Sequence, residues 1–219
     1  MNLKLLRNFY LFLFLSMIQC ASSQEFFVNV GKNFSSYKMS SVNLTNNLIA
    51  PENHILSDGN MYEIGVLFNK NVDESKIAYQ LGLNYNEYNL MYAYNTTSVK
   101  YSWQTKYIGI GSALVFTLFK PYRGVFTGVY ANAKFGINIS HYIDGYMNAN
   151  GVNYDVSEHN DFNKNIIQPQ IGCSIGYPIS ELSNLVFGYN WSVATVARDV
   201  SVINNFNNQF FIGLNVSLE

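Results

Sequence analysis

Hydrophobic and polar residues alternate along residues 125–140, whose sequence is VFTGVYANAKFGINIS. Most odd-numbered positions are apolar, whereas the even-numbered positions include glycine, asparagine, lysine and serine. A period of two predicts a β-strand with one apolar face and one polar face. Strands of globular proteins usually have about 3–10 residues, so the length of this stretch indicates an unusual setting for the sheet.

The same alternation recurs along the chain and predicts eight strands in total. The predicted strands are residues 26–37, 61–69, 76–85, a segment that ends at 119, 125–140, 167–177, 185–193 and 210–218. Their connections differ in length in a regular way. Short connections are predicted at 70–75, 120–124 and 178–183, longer ones at 38–60 and 143–165, and tall hairpins around 95–98 and 198–199. Short turns at one end and long loops at the other are typical of a transmembrane β-barrel.

Two soluble architectures would also give this alternation. A lipocalin-like barrel turns its apolar face inward around a ligand, and a β-sandwich packs two apolar faces together. Either would place its polar face in water, where soluble proteins carry many lysines and glutamates. Here the polar face consists of Gly, Asn, Ser and Gln, with rare charges such as Glu63 and Lys134.

Glycine favours the membrane barrel. Eleven of the fifteen glycines lie in the predicted strands, and all eleven fall on the polar face. They are Gly31, Gly65, Gly82, Gly109, Gly111, Gly128, Gly136, Gly172, Gly176, Gly188 and Gly213. Glycine weakens an exposed strand but suits a place where space is short. The inside of an eight-stranded barrel is such a place, since it is barely wide enough for its own side chains.

The sequence therefore predicts an all-β fold: an eight-stranded antiparallel up-and-down transmembrane β-barrel with short periplasmic turns and longer extracellular loops. The long strand is explained because about 9–11 tilted residues cross the bilayer and the remainder projects beyond it. Asn132, Lys134 and Asn138 are predicted to face the lumen, whereas Phe135 and Ile137 face lipid.

The N-terminus predicts export. Lys4 and Arg7 precede an apolar run that is too short for a stable transmembrane helix, and small residues follow it. Residues 1–23 are therefore interpreted as a cleaved signal peptide, and residues 24–219 as a single barrel domain. In an alternative interpretation Cys20 is a lipidated cysteine.

Composition narrows the expected partners. The formal net charge is −1 and only 12% of the 219 residues are charged. Binding to nucleic-acid phosphates requires a basic surface, so nucleic acid is not an expected partner. Cys173 is the one cysteine after the signal, and a single thiol forms no intramolecular disulfide.

Few residues suggest catalytic chemistry. Ser140, His141 and Asp144 lie close together in the sequence, but adjacent strand residues point to opposite faces, so Ser140 and His141 are not expected to share a hydrogen bond. The remaining candidates are interpreted as solvated loop residues: His54, His159, Glu52 and Glu158. No metal-ligand spacing or phosphate loop is present in the sequence. No catalytic, cofactor or metal residue is assigned, and no cofactor is expected.

The lumenal charges have two interpretations. Glu63 and Lys134 could form the selectivity ring of a channel, but eight strands leave no wide aqueous pore. The favoured interpretation is a polar plug in which they lie with Gln80, Gln168 and Gln170.

The residues Gly31-Lys32-Asn33-Phe34-Ser35 resemble the Gly-x-Asn-x-Ser opening of the small outer-membrane β-barrel proteins of Bacteroidota, the PorT-like group. Residues 107–111 start the fourth strand where that group often has Leu-Glu-Ile-Pro, with Gly109 and Gly111 in place of Glu and Pro. The resemblance implies the outer membrane of a Gram-negative bacterium and insertion by the outer-membrane assembly machinery. It also implies an envelope role, since PorT itself is tied to type IX secretion.

The expected function is that of a non-enzymatic barrel with a plugged lumen and a structural, surface-interaction or secretion-assisting role. Its expected partners are outer-membrane lipid, the assembly machinery and an unidentified envelope or extracellular partner that contacts the loops. Two alternatives stay open: an outer-membrane lipid-modifying enzyme and a soluble periplasmic lipid-binding barrel.

Overall fold

The computed structural model describes residues 23–41, 54–55, 57–69, 77–93, 100–119, 129–149, 151–155, 164–197 and 201–218. These residues form ten strands: β1 (Ser23–Ser41), β2 (His54–Ile55), β3 (Ser57–Asn69), β4 (Ile77–Ala93), β5 (Lys100–Phe119), β6 (Tyr130–Ala149), β7 (Val152–Asp155), β8 (Asn165–Pro178), β9 (Ser183–Ala197) and β10 (Ser201–Leu218). Within this described part, no helix is long and apolar enough to cross a membrane.

Eight of the strands close into a barrel. The wall runs β1-β3-β4-β5-β6-β8-β9-β10, and every neighbouring pair is antiparallel. The first and last wall strands join, with pairing from Gln24↔Leu218 to Ser41↔Ser201. The short strands β2 and β7 add to β4 and β6 at the end of the barrel away from Gln24 and Leu218, called here the loop end. The predicted eight-stranded antiparallel barrel is confirmed.

The two faces of the wall are also as predicted. Phe135 and Ile137 on β6 point outward and are 54% and 40% exposed, whereas Lys134 and Asn138 on either side of them are buried. The other strands repeat this arrangement, because their exposed residues are mostly Ile, Leu, Val and aromatics. The apolar face is therefore the outside of the barrel, and the Gly, Asn, Ser and Gln face is the inside.

Strand ends at the loop end were predicted wrongly. The predicted loops 38–60 and 143–165 are too long, because β1 continues to Ser41, β3 already begins at Ser57, and β6 continues to Ala149 before β7. A β-bulge at Ile143 gives one physical reason. On β5, Lys106 pairs with Asp144 and Tyr107 pairs with Tyr142, so Ile143 is an extra residue on β6. Even-numbered residues of β6 therefore point inward before the bulge and outward after it.

The fourth and eighth strands likewise start earlier than predicted, at Lys100 and Ser201. Their hairpins are tall, since the ladders reach Ala93↔Lys100 and Ala197↔Val202. The short link 178–183 is seen as a tight turn in which Ile179 N donates to Ser183 O (2.9 Å). Several predicted segments lie outside the described residues: the links 70–75 and 120–124, the hairpin tips 95–98 and 198–199, the strand start 125–128 and the signal residues 1–22.

The described glycines of the predicted set lie on the inward face, where side chains of other residues fill their space. The ring of Phe211 would lie 2.0 Å from a Cβ at Gly188, and that of Tyr130 2.0 Å from one at Gly176. At Gly65 the obstacle is backbone, since a Cβ there would lie 2.1 Å from Leu81 O. The narrow lumen therefore requires glycine, as the sequence pattern indicated.

This distinction predicts unequal effects of two glycine-to-alanine substitutions. Gly65→Ala should lower the free energy of unfolding by about 1–3 kcal/mol, because rigid backbone must move. Gly111→Ala should cost less, because the groups nearest its Cβ are the side-chain ends of Asn138 (2.6 Å) and Asn84 (3.2 Å), which can rotate. Urea unfolding of the purified proteins measures both. Equal loss in the two variants would contradict the steric explanation.

Candidate functional site: the polar lumen

A buried carboxylate, Glu63 of β3, lies near the middle of the lumen. Asn29 Nδ2 donates to its Oε2 (2.9 Å) and Gln80 Nε2 donates to its Oε1 (3.0 Å). Lys134 Nζ, from the non-neighbouring strand β6, lies 3.7 Å from the same Oε1. Both charged residues are less than a tenth exposed. Three strands besides β3 thus supply groups that compensate one negative charge.

The geometry shows how the charge is compensated. The distance between Lys134 Nζ and Glu63 Oε1 is too long for a hydrogen bond, so the lysine contributes by charge while two amides make the direct bonds. Such compensation is needed because an isolated buried charge would be very costly. The predicted plug of Glu63, Lys134 and Gln80 is confirmed.

The other two predicted plug residues have different partners. Gln168 accepts a hydrogen bond from the Tyr88 hydroxyl (2.8 Å), and Gln170 lies 3.5 Å from the Asn138 amide. Both glutamines are buried in the lumen. They therefore fill the plug without contacting its charges.

An asparagine network lies above the charge pair, toward the loop end. The side-chain oxygen of Asn86 accepts from Gln209 Nε2 (3.1 Å) and from Asn33 Nδ2 (3.4 Å). Its amide nitrogen donates to Asn84 Oδ1 (3.0 Å). Asn86 is 1% exposed. These bonds connect β1, β4 and β10 through the lumen, which is filled by side chains at this level.

An aromatic cluster, called here the aromatic cap, closes the lumen near the loop end. Tyr88, Tyr107, Ile166 and Ala194 are each 2% exposed or less and pack together, with Trp103 and Tyr142 partly buried against them. The ring centroids of Tyr88 and Tyr107 are 5.8 Å apart, and those of Tyr107 and Tyr142 5.7 Å.

The aromatic cap was not predicted from the sequence, because the inward face was expected to be purely polar. The alternation of inward and outward residues along the two strands did indicate these tyrosines. Tyr88 follows Asn84 and Asn86 at steps of two, and Tyr107 precedes Gly109 at the same step. Extending the third predicted strand from residue 85 to residue 88, and placing Tyr107 on the same face as Gly109, would have put both tyrosines in the lumen.

A small space of about 50 Å³ remains below the charge pair, toward Gln24 and Leu218. Its lining includes Phe27, Phe211 and Val115 together with Lys134 and Asn132. Water-sized molecules fit in such a volume, at about 10–15 Å³ each, but a drug-sized ligand pocket needs roughly 300–1,000 Å³.

The candidate catalytic residues are not brought together. Ser140 is buried in the lumen, 3.4 Å from Asn84 Oδ1. His141 points outward, and its Nδ1 lies 2.7 Å from Asn165 Oδ1. Asp144 follows the bulge and is exposed. The expectation that Ser140 and His141 share no hydrogen bond is confirmed, and these three residues form no nucleophile–base pair.

The remaining candidates give no site in the structure. His159, Glu52 and Glu158 lie outside the described residues, and of His54 the structure describes the backbone in β2. Among described residues, no group of three or more His, Cys, Asp and Glu is arranged to hold a metal ion.

Comparison with solved structures identifies the class of fold. The outer membrane protein OprG from Pseudomonas aeruginosa is 10% identical, with 92% of this chain and 99% of that chain covered and a TM-score of 0.56. Neisserial surface protein A is 14% identical over 87% of this chain and 96% of that chain, with a TM-score of 0.45. The outer membrane protease OmpT from Escherichia coli is 10% identical over 90% and 97%, also at 0.45.

At this level of identity the likeness to OprG shows the fold alone: the chain has the fold of the small outer-membrane β-barrels. No protein-family model matches the chain, and no curated protein matches it either. The PorT-like resemblance therefore stays a prediction.

The charge pair predicts a non-additive response to mutation. Glu63→Gln and Lys134→Met should each reduce the free energy of unfolding, because each leaves one buried charge without its counter-charge, a loss of up to about 3–5 kcal/mol when dehydration is complete. The double variant should recover part of that loss. Urea unfolding of the four proteins gives the coupling free energy.

The exposed pair Lys106–Asp144, at 2.7 Å, provides the control. An exposed pair contributes about 0–1 kcal/mol, so Lys106→Met and Asp144→Asn should show little coupling. A Glu63–Lys134 coupling as small as that of the control would mean that amides or water, and not the ion pair, stabilise the two buried charges.

Proposed function

We propose that the protein is an outer-membrane β-barrel of a Gram-negative bacterium, non-enzymatic, with a plugged lumen and a structural or surface-interaction role. The observation that carries the proposal is the combination of a closed wall with an apolar outer face and a lumen filled by its own side chains. A closed barrel satisfies every wall amide without water, which is the condition for crossing hydrocarbon.

The height of the apolar band supports this position. On β4 the outward residues from Ile77 to Tyr85 are apolar or aromatic, a span of about nine residues where about 9–11 are needed to cross the bilayer. The first charged residue above it on β4 is Glu87, which is buried and accepts hydrogen bonds from Asn60 (2.9 Å) and Asn89 (3.2 Å). Such a border is where the hydrocarbon would give way to headgroups.

Neighbouring strands support the same border. Lys32 on β1 forms an ion pair with Asp58 on β3 (2.7 Å), and Lys106 on β5 forms one with Asp144 on β6 (2.7 Å). All four side chains are on the outside of the barrel. Pairing lowers the cost of charges close to an apolar phase.

Because the lumen is filled, the surface of the barrel is the part that is able to contact a partner. The charge pair, the asparagine network and the aromatic cap succeed one another along the axis and leave no channel-sized space among the described residues. The loop end then offers the surface for an envelope or extracellular partner. The resemblance to PorT-like proteins favours an envelope or secretion-assisting role over a purely structural one.

Fractionation tests the proposed location. The protein expressed with its full N-terminus should be recovered from the outer membrane with Gln24 as its first residue, as determined by mass spectrometry. It should also migrate differently on gels before and after boiling, because a closed barrel resists detergent unfolding. Recovery from the periplasm in soluble form, without detergent, would refute the proposal and support a lipid-binding soluble barrel.

Arginine substitutions test the position of the band. Leu83→Arg, Ile137→Arg and Leu214→Arg place a charge on outward positions that are 56%, 40% and 39% exposed. Each should cost roughly 2–4 kcal/mol if the position lies near the bilayer midplane, and should reduce the amount of heat-modifiable protein in the membrane. Val152→Arg, on β7 at the loop end and 52% exposed, is the matched control and should assemble normally. Equal assembly of all four variants would mean that the outer face does not meet hydrocarbon.

A further inference from the structure

The ammonium group of Lys134 has a counter-charge in the lumen but no direct hydrogen bond. Its Nζ lies 3.7 Å from Glu63 Oε1, and no hydrogen bond to Nζ is found among the described residues. The side chain of Lys134 is only 9% exposed. An ammonium group carries three donors, and a buried charge is costly unless it is both paired and hydrogen-bonded. Lys134 therefore needs acceptors that the described side chains do not supply.

The cavity of about 50 Å³ below the charge pair borders on this lysine. Asn29 and Gln80, whose amides bind Glu63, line the cavity together with Lys134. The residues of the charge pair and their amide partners therefore form its upper end. This is the place in the lumen where a buried charged side chain lies next to space that a small molecule can fill.

Two acceptors without partners belong to the same lining. Asn132 Oδ1 and Asn190 Oδ1 are buried and form no hydrogen bond within the described part of the chain, and both residues line the cavity. Other unpartnered atoms of the lumen, such as Asn84 Nδ2 and Gln168 Nε2, belong to residues that do not line it. The cavity is thus distinguished by free space beside both kinds of unsatisfied group: donors on the lysine and acceptors on two asparagines.

Much of the remaining lining is apolar. Phe27 and Val115 are both less than a tenth exposed and offer side chains that form no hydrogen bonds. Leu67 and Asn215, which line the cavity at the end of the barrel opposite the loop end, are partly exposed. Small molecules from the solvent therefore reach the cavity from that end.

We propose that this cavity is a binding site for about three to five water molecules that complete the solvation of Lys134, since each water needs roughly 10–15 Å³ of such volume. One water accepts a hydrogen bond from Lys134 Nζ, and others donate to Asn132 Oδ1 and Asn190 Oδ1. The cluster lies inside the barrel, so it does not depend on the membrane position proposed above.

The charges and the volume together select water as the ligand. Lys134 is the one charged residue in the described lining, and Glu63 beside it already balances its charge. A bound ion would therefore add an uncompensated charge inside the barrel. The ligand must accept from an ammonium group and donate to amide oxygens, and a water molecule does both. A drug-sized molecule would need roughly 300–1,000 Å³.

Hydration also explains how the charge pair is accommodated at its observed separation. A dry buried ion pair recovers its desolvation cost only with good geometry and additional hydrogen bonds. The 3.7 Å between Lys134 Nζ and Glu63 Oε1 does not give that geometry. Water-mediated hydrogen bonds are enthalpically nearly as good as direct ones, so the cluster supplies what the lysine lacks.

A high-resolution crystal structure of the detergent-solubilised protein tests the site directly. We expect ordered waters in the cavity, with one of them about 2.7–3.2 Å from Lys134 Nζ. A dry cavity, or an ion within it, would overturn the proposal. A direct hydrogen bond from Lys134 Nζ to a protein acceptor would overturn it as well.

Filling the cavity tests the same site through stability. Val115→Leu and Val186→Leu each add one methylene group to the lining. Both substitutions should lower the urea midpoint of unfolding, because the added group displaces water that solvates the ammonium group and leaves donors unpaired. In a dry cavity the same substitutions would fill a void with apolar contacts and raise the midpoint. A raised midpoint in both variants would therefore contradict the water cluster.

The double variant Glu63→Gln/Lys134→Met provides the matched background. It keeps side chains of similar size but removes both charges, so each leucine substitution should lower the midpoint less there than in the charged protein. The mobility shift on boiling verifies that the variants are folded. An equal loss in both backgrounds would show that the leucines act by overpacking and not by removing water from Lys134, which would refute the proposal.

Discussion

Closure of the backbone hydrogen-bond ladder is the constraint on which the rest of the structure depends. Each wall strand has a partner on both sides, and the last gap is closed by β1 and β10, whose paired residues are far apart in sequence, as in Gln24↔Leu218. A sheet without edges needs no water for its amides, so its outer face is free to be apolar. That freedom explains Ile, Leu and aromatic residues at exposed positions that would be an aggregation hazard on an open sheet.

Closure with only eight strands then determines the inside. The lumen is too narrow for a full set of large side chains, so glycines such as Gly65 and Gly188 alternate with the rings and amides that cover them. The polar groups that remain must bond to one another. Asn86 bonds to three other side chains, and Glu63 is held by two amides besides its lysine. The polar lumen is thus a packed interior and not an aqueous passage.

Much of this could be predicted from the sequence, because strand number and face follow from local alternation. The parity of Lys134, Phe135 and Asn138 was sufficient to place them correctly. Strand ends were less predictable, because pairing depends on the neighbouring strand and not on the segment itself. The bulge at Ile143 reverses the alternation of inward and outward residues on β6, which the pattern before it does not indicate.

Contacts across the lumen were harder still, because they depend on the stagger between strands. The proximity of Glu63 and Lys134 could be suggested as soon as both were placed inside a narrow barrel. The partner of Gln168, Tyr88, could not, since a tyrosine was not expected on the polar face. The alternation along each strand identifies which residues point into the lumen. The register between the eight strands decides which of those residues contact one another.

The abundance of asparagine acquires a structural meaning where β3 and β4 separate, beyond their last pair Met61↔Asn86. A side-chain amide carries the same donor and acceptor as a peptide group, so Asn33 and Asn89 can replace ladder bonds where β3 and β4 separate. Proline does the opposite, since Pro169 removes a donor where β8 and β9 separate. The integrity of the wall therefore depends on which residue type stands at the end of each ladder.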